Sequence, residues 1–204
     1  FTLTGVVGSD DVEISPATGA YATANAGSGI NVSVSGLTLT GTDAANYTLT
    51  TTSASGNIGT ITQASLSAVL AGTVTKVYNG NTTASFASNN FTLTGVVGPD
   101  DVEISPATGA YATANAGTGI GVSVSGLTLT GTDAANYTLT TTSASGNIGT
   151  ITQASLSAVL AGTVTKVYNG TTVASFASNN FTLTGVVGSD DVLISPATGA
   201  YATA

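Results

Sequence analysis

Apolar and polar residues alternate along most of the chain, and this period of two is typical of β-strands. Phe91 and Leu93 alternate with threonines, and Val102 and Ile104 flank Glu103. Because successive side chains of a strand point to opposite faces, each such segment can bury one face and expose the other. No helical spacing is sustained over a window of about 11 residues. The pattern therefore predicts an all-β protein.

The same alternation recurs between turn signals. Further strands are predicted in segments 66–70, 120–124, 127–129 and 137–139. Turn-forming pairs such as Gly98-Pro99 and Asn79-Gly80 separate the segments. About six to eight short strands punctuated in this way are typical of a β-sandwich or barrel.

The chain contains internal sequence repeats. The segment FTLTGVVG begins at Phe1, Phe91 and Phe181, which gives a period of 90 residues. Residues 1–90 differ from residues 91–180 at five positions. The units of solenoid proteins are shorter, roughly 20–45 residues. The period therefore indicates self-contained repeats, each with its own core.

The repeat boundary is placed in a predicted linker at 59–64, between a strand ending near Ile58 and one starting near Leu66. With this boundary, residues 1–63 are the C-terminal part of one repeat. Residues 64–153 form one complete repeat. Residues 154–204 are the N-terminal part of the next.

A short motif specifies the expected sandwich further. The sequence Asp-Ala-Ala-Asn-Tyr occurs at Asp43–Tyr47 and again at Asp133–Tyr137. It resembles the tyrosine corner of immunoglobulin-like sandwiches, in which the tyrosine ring packs inside and its hydroxyl bonds backbone at a Greek-key corner. The aspartate is expected to cap the turn. The predicted fold is thus a row of immunoglobulin-like, Greek-key β-sandwich repeats of 90 residues, with Asp43, Tyr47, Asp133 and Tyr137 as structural corner residues.

A second motif carries a family resemblance. Lys-Val-Tyr-Asn-Gly occurs twice, and its signature residues are Lys76, Tyr78, Asn79 and Gly80, then Lys166, Tyr168, Asn169 and Gly170. Together with the Gly-rich acidic turn at 95–101, the segment 111–117 and the corner motif, these residues resemble the YDG/MBG-type tandem repeats of bacterial surface adhesins, which are filamentous haemagglutinin-like secreted proteins. Asn79 and Asn169 stand where that family usually has Asp. Asn keeps turn formation possible but removes a carboxylate.

The resemblance implies large secreted or surface-anchored proteins in which the repeats are spacers. An extracellular or cell-surface location is therefore expected. It implies no ligand.

Charge and hydropathy restrict the partners. The chain has two lysines, no arginine and a net charge of −8, whereas phosphate recognition needs a basic surface. No apolar run approaches the roughly 20 residues of a membrane-spanning helix. Nucleic acid and membrane insertion of this segment are not expected. The expected partners are neighbouring repeats of the same chain and identical chains in a fibre.

The sequence offers little catalytic chemistry. Histidine and cysteine are absent, so the usual acid–base and nucleophile pairs are missing, and no enzyme and no cofactor are predicted. Asp100, Asp101 and Glu103 form an acidic cluster whose hard oxygen atoms suit calcium, but a plain solvated turn is the favoured explanation. Lys76 is a candidate for a cross-link to Asn79 beside an acid. Alternatively, it protects an edge strand from mispairing.

The sequence thus favours a structural function, as a tandem-repeat stalk or fibre segment of a bacterial cell-surface or extracellular adhesin that projects or connects other domains. The alternative is that the repeats self-associate into a matrix or fibril, or themselves bind glycans or a surface.

Overall fold

The computed structural model describes residues 1–203, and this part of the chain is all β, without any α-helix. The strands are β1 (Glu13–Ile14), β2 (Ala20–Tyr21), β3 (Gly27–Ser35), β4 (Leu39–Thr40), β5 (Ser53–Ile61), β6 (Ala64–Leu70), β7 (Val74–Val77), β8 (Thr83–Phe86), β9 (Phe91–Thr94), β10 (Glu103–Ile104), β11 (Ala107–Tyr111), β12 (Gly117–Ser125), β13 (Leu129–Thr130), β14 (Tyr137–Leu139), β15 (Ser143–Thr152), β16 (Ser157–Leu160), β17 (Val173–Phe176), β18 (Phe181–Thr184) and β19 (Ala197–Ala200). Four short 3₁₀ helices span Ala44–Asn46, Ser88–Asn90, Ala134–Asn136 and Ser178–Asn180.

The chain divides into two compact units. Unit 1 comprises 1–67, 93–104 and 128–140, and unit 2 comprises 68–92, 105–127 and the described residues from 141 onward. No helix among residues 1–203 combines the length and apolar character that crossing a membrane would require.

Unit 1 contains short antiparallel pairs and a small apolar core. Strand β1 pairs with β4, β10 pairs with β13, and β2, β3 and β5 form one sheet in that order. Strand β14 pairs in parallel with the start of β6, which aligns Tyr137 with Ala64 and Leu139 with Leu66. The core of this unit is built from Leu66, Val102 and Tyr137. The alternation read from the sequence is seen here, since Val102 and Ile104 are buried while Glu103 between them is exposed.

Unit 2 contains the largest sheet. Its strand order is β7-β15-β12-β11-β8, and the two edge strands, consecutive along the chain, contact each other so that the sheet is barrel-like. The β12–β15 and β11–β12 pairs are antiparallel, whereas β15 and β7 are parallel. Gly109 is needed in β11 because a Cβ there would lie 2.1 Å from the carbonyl oxygen of Ser123. Two further antiparallel pairs are β16–β18 and β17–β19.

The predicted linker is largely strand. Strand β5 continues to Ile61, because Gly27 and Ser28 of β3 pair with Ile61 and Thr60. Strand β6 begins at Ala64, so only Thr62 and Gln63 lie between the two strands. The linker expectation for 59–64 was wrong, because pairing with β3 extends β5 through Gly59, Thr60 and Ile61. The repeat bounds 1–63, 64–153 and 154–204 stay a prediction.

Candidate functional site

The Tyr137 ring lies in the core of unit 1, and its hydroxyl carries two hydrogen bonds. The side chain is 4% exposed. The hydroxyl donates to Asp100 Oδ2 at 2.6 Å and accepts the backbone N–H of Val97 at 2.9 Å. These partners lie about 40 residues upstream, on the acidic turn. Tyr137 therefore fastens the acidic turn to β14. We call Tyr137, Asp100, Asp101 and Asp133 the corner site.

The aspartates of the corner site support this turn from both sides. Asp133 Oδ2 accepts the N–H of Asp101 at 3.0 Å, and Asp101 Oδ2 accepts the N–H of Thr132 at 3.1 Å. The expectation that Asp133 caps its own turn differs from the geometry, since its side chain makes no cap bond to the 3₁₀ helix that follows. Its carboxylate instead accepts a hydrogen bond from Asp101, which connects its own loop to the acidic turn. Gly131 permits their approach, because a Cβ there would lie 2.2 Å from the Asp101 carbonyl oxygen.

The first copy repeats the corner site ninety residues earlier. The Tyr47 hydroxyl donates to Asp10 Oδ2 at 2.5 Å and accepts the N–H of Val7 at 3.0 Å. Asp43 Oδ2 accepts the N–H of Asp11 at 2.9 Å. The same bonds thus form from the same motif in two copies.

Hydrogen bonds to carboxylates change the acidity of these tyrosines. The pKa of Tyr137 is raised, chiefly because its hydroxyl donates to Asp100 and because burial disfavours the phenolate. The pKa of Tyr47 is raised chiefly by its hydrogen bond to Asp10. The phenols therefore remain protonated donors at neutral pH, as a structural bond requires.

The acidic cluster does not assemble a metal centre. In the described part of the chain, 1–203, no three carboxylate, histidine or cysteine side chains are grouped to hold a metal ion. The Asp100 carboxylate accepts a hydrogen bond from the Tyr137 hydroxyl, the Asp101 carboxylate accepts one from the Thr132 N–H, and Glu103 is exposed on β10. The calcium candidate at these three residues has no geometric support, because their carboxylates are not grouped around a common point.

Lys76 organises the turn that follows it. Its Nζ donates to Asn79 Oδ1 and Asn81 Oδ1, both at 2.8 Å, and to the Asn81 carbonyl oxygen. The same nitrogen lies 5.4 Å from the centre of the Tyr111 ring, within the range of a cation–π contact. Gly80 supplies the positive φ of 76° at the turn. We call Lys76, Asn79, Asn81 and Tyr111 the signature site.

The third copy rebuilds the signature site with one substitution. Lys166 Nζ donates to Asn169 Oδ1 at 3.1 Å and to Thr171 Oγ1 at 3.2 Å, and it lies 5.4 Å from the Tyr201 ring centre. Thr171 stands where the second copy has Asn81, and it still offers a side-chain oxygen. Gly170 again has positive φ. The lysine therefore holds a turn through amide, hydroxyl and backbone oxygen atoms in both copies, and the cross-link to Asn79 stays a prediction.

Two tyrosine contacts of this region were not anticipated from sequence, although Tyr78 itself was named as a signature residue. Tyr111 is 3% exposed, and its hydroxyl donates to the Val74 carbonyl oxygen at 2.9 Å. Its signal was present, since Tyr111 lies on the apolar face of an alternating segment. Tyr78 donates to Asp190 Oδ2 at 2.8 Å, a contact at a sequence distance of 112 residues that no local pattern indicates. Its equivalent Tyr168 is 83% exposed.

Fold and site together define an all-β tandem-repeat protein whose recurrent polar side chains bond to turns and strands. The YDG domain model matches residues 1–54 and 62–144, well over half of the chain. The chain therefore belongs to the YDG domain family. No curated protein and no solved structure matches.

The match corrects the family assignment made from sequence. The expectation named the YDG/MBG-type repeats of bacterial surface adhesins. It was wrong in that form, because the matching family is the YDG domain, and nothing in the match supports membership of MBG repeats or of adhesins. The assignment had rested on short motifs rich in turn residues, which carry little family-specific information.

Proposed function

We propose that this chain is a structural spacer, a tandem-repeat stalk or fibre segment of a larger extracellular or cell-surface protein that projects or connects other domains. One observation carries the proposal: the same side chains make the same bonds at intervals of ninety residues. The corner bonds of Tyr47 recur at Tyr137, and the turn bonds of Lys76 recur at Lys166. A spacer needs a unit that can be repeated in any number, and the same stabilising bonds form again in successive repeats of this chain.

We also propose that each ninety-residue period folds as an immunoglobulin-like β-sandwich with Greek-key connections. The mainly antiparallel pairing of short strands supports this fold. A buried tyrosine that fastens a distant turn, as Tyr137 does, supports it further. A self-contained unit of this kind can be repeated in tandem without sequence changes in the adjacent repeats.

Reading of DNA methylation is not proposed, although it is typical of domains that share the YDG name as YDG (SRA) domains. The chain has ten acidic residues against two lysines. Lys76 and Lys166 both donate to their own turns. Phosphate contacts need lysine or arginine free to release counterions from DNA, and this composition opposes such contacts.

The decisive experiment compares the full chain with a chain that carries one additional ninety-residue period inserted after Gln153, at the second predicted repeat boundary. Light scattering gives the mass, and small-angle X-ray scattering gives the maximum dimension. A spacer stays monomeric, and its maximum dimension increases by roughly 30–40 Å, the length expected from strands of about 3.3 Å per residue plus turns. Concentration-dependent polymers would instead identify a fibril subunit. A chain that compacts without lengthening, or that binds a glycan array or duplex DNA specifically, would contradict the spacer.

A further inference from the structure

Contacts within unit 1 connect residues on the two sides of the first predicted repeat boundary. The backbone N–H of Ala26 donates to Asn136 Oδ1 at 2.8 Å, and the Asn136 amide donates to Asn25 Oδ1 at 3.4 Å. Gln63 Nε2 donates to the carbonyl oxygen of Ala135 at 2.9 Å. Residues 25, 26 and 63 precede the boundary, and residues 135 and 136 follow it. The loop of one repeat therefore bonds to the 3₁₀ helix of the next.

Contacts within unit 2 connect residues across the second predicted boundary. The Tyr78 hydroxyl donates to Asp190 Oδ2 at 2.8 Å. A Cβ built on Gly80 would lie 3.3 Å from the Val187 side chain, so glycine leaves room for the turn at 187–190. The acidic turn of the third copy thus lies against the signature segment of the second.

The two sets of contacts belong to one kind of joint. A groove of about 290 Å³ in unit 1 and a groove of about 450 Å³ in unit 2 are lined by residues that correspond at the ninety-residue period. The corresponding pairs are Asn25 and Asn115, Ala26 and Ala116, Ala64 and Ala154, Val97 and Val187, and Asp100 and Asp190. Equivalent surfaces therefore meet at both boundaries. The first boundary shows the hydrogen bonds of Asn136 and Gln63, and the second shows the hydrogen bond from Tyr78 to Asp190.

We propose that consecutive repeats dock through this joint, with the aspartate of the acidic turn as a bridge between two tyrosines. Within its own repeat the aspartate accepts a hydrogen bond from the corner tyrosine, as Asp100 does from Tyr137. It also accepts a hydrogen bond from the signature tyrosine of the preceding repeat, as Asp190 does from Tyr78. An ionised carboxylate has about four acceptor positions, so one aspartate accommodates both hydroxyls. The occupant of the joint is the next copy of this repeat. The inference rests on the proposed spacer function and extends it by specifying how consecutive repeats contact each other.

Hydrogen exchange at the Ala26 amide tests the first set of contacts in the full chain. Because this N–H donates to Asn136 of the next repeat, Asn136→Ala should raise its exchange rate by about tenfold, as expected for loss of one amide hydrogen bond. The matched control is Asn46→Ala, the equivalent substitution in the first copy, which should leave the Ala26 rate unchanged. The Val97 amide, which donates to Tyr137, reports whether the repeat itself stays folded. Equal Ala26 rates in Asn136→Ala and the unaltered chain would overturn the proposal.

Tyr78→Phe tests the second set, since it removes the hydroxyl and keeps the ring. The N–H of Asp190 donates to the Val187 carbonyl oxygen within the acidic turn, and its exchange should increase several-fold when Tyr78 no longer holds the turn. Tyr168→Phe alters the same motif in the third copy and should leave that rate unchanged. The Tyr111 amide, bonded to the Thr82 carbonyl oxygen, reports integrity of the repeat. Equal effects of the two substitutions would show that Tyr78 does not act at a joint.

These experiments separate the joint from the spacer. A monomer that lengthens with each added period, yet shows no effect of Asn136→Ala on Ala26, is a spacer with flexible linkers, and the joint proposal fails. A chain that polymerises but shows both exchange effects keeps the joint and loses the spacer function.

Discussion

The corner site and the signature site each contain a buried tyrosine, and the two tyrosines are used differently. Tyr137 donates its hydroxyl to a carboxylate, Asp100, while Tyr111 donates to a backbone carbonyl, that of Val74. Tyr111 also carries Lys76 over its ring. The difference shows that ring burial is common to both sites, whereas the partner of the hydroxyl decides how each responds to pH and charge.

Removal of a ring is expected to have the largest effect and tests what the two sites share. Tyr111→Ala should lower the free energy of unfolding by about 3–5 kcal/mol, because it leaves a cavity in place of a buried aromatic ring. Denaturant unfolding measures the change. Tyr168→Ala, at an exposed tyrosine, should change stability by less than about 0.5 kcal/mol. Similar losses in both variants would show that exposure does not distinguish these tyrosines.

The close backbone approach at the corner site gives the next largest effect. Gly131→Ala should cost about 1–3 kcal/mol through the clash of the new Cβ with the Asp101 carbonyl oxygen. Any L-residue there also pays for positive φ. Gly126→Ala is the control, since Gly126 also has positive φ but no atom within 4 Å of its Cβ position. Thermal or denaturant unfolding of both variants isolates the clash. Equal losses would remove the argument for close approach.

Alkaline titration separates the two tyrosines. The pKa of Tyr137 is raised mainly by its bond to Asp100, whereas burial raises the pKa of Tyr111. With a folded pKa above the ordinary value of about 10, the protonated hydroxyl contributes its full stabilisation below that pH, and the contribution is lost as the pH rises through the raised pKa. Asp100→Asn should therefore let Tyr137 ionise at lower pH, without changing Tyr111.

Phenolate absorbance, followed against pH, measures this shift. Tyr137→Phe, used as a background, identifies the signal of Tyr137 among the seven tyrosines of the chain. If Asp100→Asn left the Tyr137 titration in place, the carboxylate would not be the cause of the raised pKa.

The smallest effect is expected at Lys76. Lys76→Gln removes the cation over the Tyr111 ring and the lysine's hydrogen bonds to the turn. In this partly exposed position the substitution should lower the free energy of unfolding by about 0.5–1 kcal/mol. Glu103→Gln, at an exposed residue of β10, controls for a change of one charge and should have almost no effect. Equal unfolding midpoints for Lys76→Gln and the unaltered chain would show that the signature lysine does not stabilise the fold.

Much of the architecture was predictable because alternation is a local property. Burial of Val102 and Ile104 about an exposed Glu103, and the strand at Phe91–Thr94, follow directly from the period of two. The end of β5 was not predictable, because Gly59, Thr60 and Ile61 are held by pairing with β3 rather than by their own propensity. The partners of Asp133 escaped prediction for the same reason, since its carboxylate bonds an N–H from a loop 32 residues away.

The sequence by itself determined an all-β repeat of ninety residues with few charges and two recurrent tyrosine motifs, since composition, period and alternation are written in the order of residues. Only the tertiary structure decided which hydroxyl meets which acceptor. Tyr111 and Tyr137 both lie on the apolar face of an alternating segment, yet Tyr137 donates to the Asp100 carboxylate and Tyr111 to the Val74 carbonyl oxygen. Hydrogen bonds depend on distances of about 3 Å between atoms that the chain brings together from far apart, and local sequence does not encode those distances.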